Sequence, residues 1–117
     1  MYVVNYQERE LEEVNLAGAE LTTVRWLIGK RTGAKTYVMR LFEIAPGGKV
    51  PLHQHDEEHE IFILDGKAKI LGAPTETYAK KDDAVFIPSN EEHGYDNTEG
   101  TESFRFICVI PLLKNEE

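Results

Sequence analysis

Four histidines are the side chains of this chain whose type and spacing could do chemistry, and three of them fall within seven residues. His53 and His55 are two residues apart, so on an extended strand both side chains point to the same face. His59 starts the next apolar stretch, and His93 lies 34 residues further along the chain. Neutral imidazole is the commonest metal ligand in proteins. The pattern therefore predicts a metal site if the fold carries His93 to the other three.

A solvated loop is the alternative interpretation of the same segment. The residues around the three clustered histidines are polar or acidic, namely Gln54, Asp56, Glu57 and Glu58. Histidines are often exposed on such loops without binding a metal. The spacing alone leaves both interpretations open, so the choice depends on the elements that position these side chains.

Short strand patterns separated by turn signals make up most of the chain, and no helix of useful length is predicted. Asp65-Gly66 is a strong hairpin signal, and Pro46-Gly47-Gly48 is expected to end a long strand. The acidic segment 5–20 is interpreted as a solvated lead-in after a short strand at 2–4. The remaining strands are predicted at 22–28, 35–45, 60–64, 67–71, 75–79, 84–87 and 103–110. An all-β barrel or sandwich follows from this pattern.

Length and composition limit the classes of partner and the cellular compartment that can be expected for this protein. A chain of 117 residues is expected to form one domain over 1–117, with its core at about 35–110 and N-terminal strands within 1–28. The net charge of −8 and the scattered basic residues exclude a nucleic-acid partner. No stretch predicts a membrane span or a signal peptide. The single cysteine, Cys108, excludes an internal disulfide framework, so a cytoplasmic location is expected. The 16 Glu against two Gln favour a thermophilic source.

The spacing around the histidines resembles the first sequence motif of the cupin superfamily. That motif runs glycine, five residues, His-x-His, three or four residues, glutamate, six residues, glycine. The segment 47–66 keeps this spacing from its first glycine to its last. His59 occupies the position of the glutamate, and Glu60 is the rival candidate. Since a shift of one residue turns a strand side chain to the opposite face, His59 is the predicted ligand.

The second cupin motif runs glycine, five residues, Pro-x-Gly, two residues, histidine, three residues, asparagine. Pro88, His93 and Asn97 match it, and Asp82 and Asn90 replace its two glycines. Asp and Asn are the residues other than glycine that best tolerate φ > 0. We therefore expect Asp82 and Asn90 to keep the turns that the glycines would form.

The resemblance is strongest to small single-domain cupins with four histidine ligands, among them manganese proteins of thermophiles. It implies a jelly-roll β-barrel of antiparallel strands, a homodimer, and one divalent transition metal bound by His53, His55, His59 and His93. Manganese is implied by the resemblance, and nitrogen ligands also suit iron, nickel, copper and zinc. Four neutral imidazoles leave the full +2 charge on the ion. A tetrahedral site would be closed and structural, whereas an octahedral site would keep two positions open.

A pocket beside the metal is predicted from the neighbouring strands. Phe104, Phe106 and Cys108 share one face of the last strand, and Tyr95 lies two residues after His93. Lining of an apolar pocket for a small organic molecule is one interpretation of these residues. Ordinary core packing is the alternative for each of them, and Cys108 has the character of a small buried hydrophobe.

Two arginines lie inside strand patterns, Arg40 and Arg105. Either could bind a carboxylate. Facing solvent, or pairing with an acid such as Glu43, is the favoured interpretation for both.

The strand predicted at 60–64 has an apolar outer face that must be buried against another element. Phe62 and Leu64 alternate with Ile61 and Ile63, so both faces are apolar. A small barrel has only one inside, and the second apolar set must pack elsewhere. A homodimer is the favoured solution, and cover by residues 1–28 of the same chain is the alternative.

Three functions compete on this sequence. The preferred one is a mononuclear metal-dependent oxygenase or related oxidoreductase, of the dioxygenase type, that acts on a small organic substrate. A non-catalytic cupin that binds a small molecule or senses a metal is the first alternative. A metal-dependent isomerase is the second, and it needs a general acid or base that the sequence does not identify. No catalytic residue is predicted beyond the metal ligands.

Overall fold

The structure is a computed structural model that describes residues 1–112. The strands of this part are β1 (Glu12–Glu13), β2 (Glu20–Ile28), β3 (Tyr37–His53), β4 (His59–Asp65), β5 (Lys67–Leu71), β6 (Glu76–Lys80), β7 (Ala84–Ile87), β8 (His93–Asp96) and β9 (Phe104–Pro111). Short 3-10 turns lie at Tyr6–Glu8 and Lys30–Thr32. All pairings between these strands are antiparallel, which confirms the predicted all-β class. The domain predicted over 1–117 includes residues 113–117, which lie outside the described residues.

β3 is the centre of the sheet, whose order is β6-β5-β8-β3-β9-β4-β7 with β2 also paired to β3. The first half of β3 pairs with β2 and β9, and its end pairs with β8. The predicted strand end at 46–48 is therefore wrong, because the strand bends there and changes partners. Gly47 has φ +89°, and a Cβ on Gly48 would lie 2.8 Å from the Glu20 carbonyl oxygen. The glycines thus allow a bend and a close approach of β2 rather than a stop.

The side chain of Asn97 stabilises this bend of β3 by hydrogen bonds. Its side chain is buried, and its Nδ2 donates to the Ile44 and Glu102 carbonyl oxygens, each at 3.0 Å. This asparagine of the second motif therefore joins the bend of β3 to the segment before β9.

The two motif positions that lack glycine do adopt the expected conformation. Asp82 has φ 75° and Asn90 has φ 64°, which confirms that both turns are kept. Gly66, at the β4–β5 hairpin, has φ +84°, and a Cβ there would lie 2.4 Å from the Ser103 carbonyl oxygen. A side chain at this glycine would clash with the neighbouring backbone.

The N-terminal segment differs from expectation. No strand forms at residues 2–4, and β1 instead pairs with β2 within the predicted lead-in. Arg25 Nη1 donates to the Arg9 carbonyl oxygen at 2.8 Å, so the acidic segment is fastened to the barrel. β8 was likewise not predicted, because its four residues gain their order by pairing between β3 and β5.

The core lies between the inward faces of the strands. Alternate residues of β9 are buried, as predicted for the face that holds Phe104, Phe106 and Cys108. The other buried apolar residues packed into the same cluster are Val38, Ile44, Val50, Ile61, Ile63, Ala68, Ile70, Ala79, Ile87, Tyr95 and Ile110. Within residues 1–112, no helix is long and apolar enough to cross a membrane.

Candidate metal centre

The four histidines of the sequence meet at one end of the barrel. His53 ends β3, His59 begins β4 and His93 begins β8, while His55 lies in the loop between β3 and β4. Ring centroids are 4.4 Å apart for His53 and His93, and 4.4 Å apart for His55 and His59. The ring of His59 is 5.0 Å from that of His93, which closes the group. The fold thus brings His93 to the three histidines that are close in sequence.

The register of β4 decides between His59 and Glu60. His59 is buried on the inner face and its Nε2 lies 3.0 Å from the Nε2 of His55. Glu60 is exposed on the outer face of the same strand. The position that holds glutamate in the family motif is therefore occupied by an inward-facing histidine.

The Nδ1 atoms of His53, His59 and His93 have partners outside the group, whereas the Nδ1 of His55 also lies 3.3 Å from the Nε2 of His59. The Nδ1 partners are Pro51 O for His53 (2.9 Å), Glu91 O for His93 (2.9 Å), Cys108 Sγ for His59 (3.0 Å) and Glu57 Oε1 for His55 (3.5 Å). Metal-binding histidines usually donate their second ring N–H to such an acceptor, which fixes the tautomer. This arrangement leaves the Nε2 lone pairs of His53, His59 and His93 available to an ion.

The Nε2 atoms of His55 and His59 have the spacing of two ligands of one metal ion. Two ligands about 2.1 Å from an ion and at right angles lie about 3.0 Å apart, which is the distance between the Nε2 atoms of His55 and His59. The Nε2 of His93 is buried and has no hydrogen-bond partner within the described part of the chain. A buried polar atom without a partner is costly, and a bound ion would remove that cost.

Burial lowers the pKa of three of these histidines, His55, His59 and His93, and so favours their neutral form. Desolvation lowers the pKa of His59 to about 2, with Arg40 as the next cause. Desolvation also lowers the pKa of His93 to about 4 and shifts the pKa of His55 in the same direction. Neutral imidazole is the form that binds a metal, so His55, His59 and His93 are in the binding form at neutral pH.

A cavity of about 210 Å³ opens onto His53, His55 and His59. Tyr95 and Phe106 are among its lining residues. Phe104 is fully buried beneath Phe106, with ring centroids 5.5 Å apart, and Cys108 is fully buried against His59. The cavity is lined further by Val14, Leu16, Thr22, Arg40, Phe42, Ile44 and Val50.

Comparison with known proteins identifies the family. The family model described as "Cupin domain" matches residues 40–110. The chain belongs to the cupin family. The antiparallel barrel is accordingly the cupin jelly roll, in agreement with the predicted fold.

Individual cupins similar to this chain differ in what their names describe. The oxalate-binding protein of Thermotoga maritima is 37% identical over 78 residues, which are 63% of this chain and 64% of that protein. A polyketide cyclase from Streptomyces resistomycificus has a TM-score of 0.89 at 34% identity, over 95% of this chain and 79% of that one. A predicted oxalate decarboxylase from Thermotoga maritima has a TM-score of 0.82 at 28% identity, over 96% and 100%. The chain spans 46% to 64% of the length of the curated relatives that it matches.

Arg40 of this cupin site does not face solvent or pair with an acid, as was favoured from the sequence. It faces the cavity rather than solvent, and its Nη2 lies 3.2 Å from Cys108 Sγ. Arg105 follows the expectation, since it pairs with Asp65 at 2.8 Å and with Glu43 at 3.8 Å. The alternation of Val38 and Ile44 around Arg40 was the available signal, because it places all three on one face of β3.

Proposed function

We propose that this cupin binds one divalent transition metal through the Nε2 atoms of His53, His55, His59 and His93. It uses that centre as a mononuclear metal-dependent oxidoreductase of the oxygenase type on a small organic substrate. The observation that carries the proposal is the coincidence of two features. Ligand nitrogens of His53, His55 and His93 lie within 4.8 Å of one another, and His59 Nε2 lies 3.0 Å from His55 Nε2. A cavity opens onto His53, His55 and His59.

A bound divalent ion would supply Lewis-acid and redox chemistry at the end of this cavity. The protein's own contribution is to hold a neutral ligand set, so that the ion keeps its full charge. The apolar side chains of Phe42, Val50 and Phe106 exclude water from the cavity. Tyr95 adds a phenol that stays protonated, because burial raises its pKa.

Manganese is the metal that we propose first, on the resemblance to small four-histidine cupins. Iron, nickel, copper and zinc are the other candidates for an all-nitrogen site. A cytoplasmic location is proposed on the buried free thiol of Cys108, which suits a reducing compartment. The thermophilic source stays a prediction from composition.

A non-catalytic binding protein is the second candidate function. It is favoured by the similarity to a protein named for binding oxalate rather than for converting it. Ligand binding at the metal without turnover would need the same cavity and the same histidines. An isomerase is the third candidate, and it still requires a proton-transferring group beside the cavity.

We further propose that the protein is a homodimer. Phe62 is 46% exposed and Phe86 is 59% exposed on the outer face of β4 and β7. The N-terminal segment covers another part of the outer face, where Tyr6 and Leu11 lie near buried Leu41. Cover by the same chain is therefore partial, and a second copy of the barrel is proposed to bury Phe62 and Phe86.

Elemental analysis of protein purified without added metal tests the proposed centre. We expect about one transition-metal ion per chain, lost in the double variant His53→Ala/His55→Ala. The control is Glu91→Gln, which leaves the carbonyl contact of His93 intact. Stoichiometric metal in the double variant would refute the site. Oxygen uptake by the metal-loaded protein with small organic acids and alkenes then separates the oxygenase from the binding protein, which binds ligand without consuming oxygen.

A further inference from the structure

Arg40 is a half-buried cation that lines the cavity of the barrel. It lies on the inner face of β3, and its guanidinium carbon is 4.8 Å from the ring centroid of Phe42 and 5.5 Å from that of Trp26. Its side chain lines the same cavity as the histidines. The guanidinium is therefore close enough to act on whatever the cavity holds.

This cation has no counter-charge among residues 1–112. None of their carboxylates lies within ion-pair distance of Arg40, and its Nε is buried without a hydrogen-bond partner. Its one polar side-chain contact in this part of the chain is the neutral sulfur of Cys108. Partial burial of a charge without a counter-charge, and full burial of a polar atom without a hydrogen-bond partner, are both unfavourable. A divalent ion at the histidines would add a further positive charge to the same cavity.

We propose that Arg40 is the anion anchor of this cavity, and that the ligand is a monocarboxylate with an apolar body. This inference rests on the proposed function for the identity of the cavity as the substrate site. The planar guanidinium fork matches a carboxylate better than a point charge does. The charge of such a ligand would be neutralised by Arg40 and by the metal.

The residues that line the cavity indicate the size and polarity of the part of the ligand beyond its carboxylate. Apart from the histidines, Arg40 and Tyr95, they are almost wholly apolar, with Leu16, Phe42 and Phe106 among them. The volume of about 210 Å³ is below the range of about 300–1,000 Å³ typical of drug-sized ligands. A small aryl or branched aliphatic carboxylate fits both properties. Oxalate has no apolar part, so it would make no apolar contacts with these lining side chains.

A purely structural role is the alternative for Arg40. Its stacking on Phe42 and Trp26 and its contact with Cys108 could serve to pack the barrel. A structural arginine would not make the cavity prefer an anion over a neutral molecule of the same shape. That preference is the property to measure.

Calorimetric titration with benzoate and with benzamide measures it, because the two probes share size and ring but differ in charge. We expect the wild-type protein to bind benzoate about tenfold or more tightly than benzamide. The preference should vanish in Arg40→Gln and be reduced in Arg40→Lys, which keeps the charge and loses the fork. Arg105→Gln, on the outer face, is the matched control and should keep it.

Each outcome of this titration decides the proposal. Equal affinity for the two probes in the wild-type protein, no benzoate binding at all, or an unchanged preference in Arg40→Gln would overturn it. Tighter binding of oxalate than of benzoate would overturn the apolar body. If Arg40→Gln fails to fold by circular dichroism, the wild-type preference and Arg40→Lys still decide. Titrating metal-loaded and metal-free protein keeps this result distinct from the proposed function, which fails if no metal binds.

Discussion

Replacing Cys108 should weaken metal binding although its sulfur is placed to contact no ion. Cys108 Sγ lies 3.0 Å from His59 Nδ1 and 3.2 Å from Arg40 Nη2. An arginine N–H can only donate, and a histidine that binds a metal through Nε2 carries its proton on Nδ1. In the metal-bound protein the sulfur therefore accepts two hydrogen bonds. It holds the ring of His59 in the way that backbone carbonyls hold His53 and His93.

The size of the effect follows from this contact. Loss of the acceptor behind a metal-binding histidine typically costs 10- to 100-fold in metal affinity, or about 1.4–2.8 kcal/mol. Cys108→Val removes the acceptor while filling the fully buried site, so cavity formation adds little. Cys108→Ser restores an acceptor on a shorter side chain. We expect its affinity to lie between those of the wild-type protein and Cys108→Val.

Competition with a chelator of known affinity measures these values for manganese and zinc. The absorption spectrum of the cobalt-substituted protein reports the ligand geometry independently of affinity. Ile110→Val, two residues along the same buried face of β9, is the control for altered packing and should leave both readouts unchanged. Wild-type affinity in Cys108→Val, or no recovery in Cys108→Ser, would show that the sulfur does not position His59.

Three further predictions follow from the register, the burial and the outer face. His59→Ala should lose the metal and Glu60→Ala should keep it, as measured by elemental analysis; the opposite result would place Glu60 in the ligand set. Burial lowers the pKa of His59 to about 2 and that of His93 to about 4, whereas histidines in the unfolded chain titrate near about 6.5. The unfolded chain therefore binds more protons, and the free energy of unfolding of the metal-free protein should fall as the pH decreases from about 6.5 to 4, by up to about 1.4 kcal/mol per pH unit for each histidine. Urea unfolding of the wild-type protein and His93→Asn should differ in this slope, and equal slopes would contradict the assignment. Light scattering should give about twice the chain mass of 13.3 kDa for the wild-type protein and the chain mass for Phe86→Glu; a monomeric wild-type protein would exclude the dimer.

Local sequence signals predict most of this barrel, and their failure at 46–48 has a physical cause. The hairpin at Gly66 and the positive φ of Asp82 and Asn90 depend on residues next to one another, so the sequence alone indicates them. The continuation of β3 past Pro46 depends on pairing with β8 and on the amide of Asn97, which are far away in sequence. A Pro-Gly-Gly segment ends an isolated strand, and tertiary contacts override that tendency here.

The histidine group was predictable because its spacing matches a motif in which each position has a chemical role. The Nδ1 partners of His53, His55 and His93 each lie two residues away in sequence, whereas the partner of His59 comes from a distant strand. Cys108 lies 49 residues from His59 in sequence, and no local pattern joins them. The contact exists because β9 pairs with β4 in the register that sets Cys108 opposite Ile61.

Arg40 shows where a local rule fails at a functional position. The period-2 pattern of β3 places it on the same face as Val38 and Ile44, both fully buried, yet a charged residue is expected outside because burying it is costly. The two signals conflict, and the cost of burying a charge leads to the prediction that Arg40 faces solvent. In the structure Arg40 follows the strand alternation and lies on the inner face. Its guanidinium stacks on Phe42, and its Nε has no hydrogen-bond partner among the described residues. Folds tolerate such conflicts mainly at sites that bind something, so the pattern that misled the prediction of exposure itself points to a ligand for Arg40.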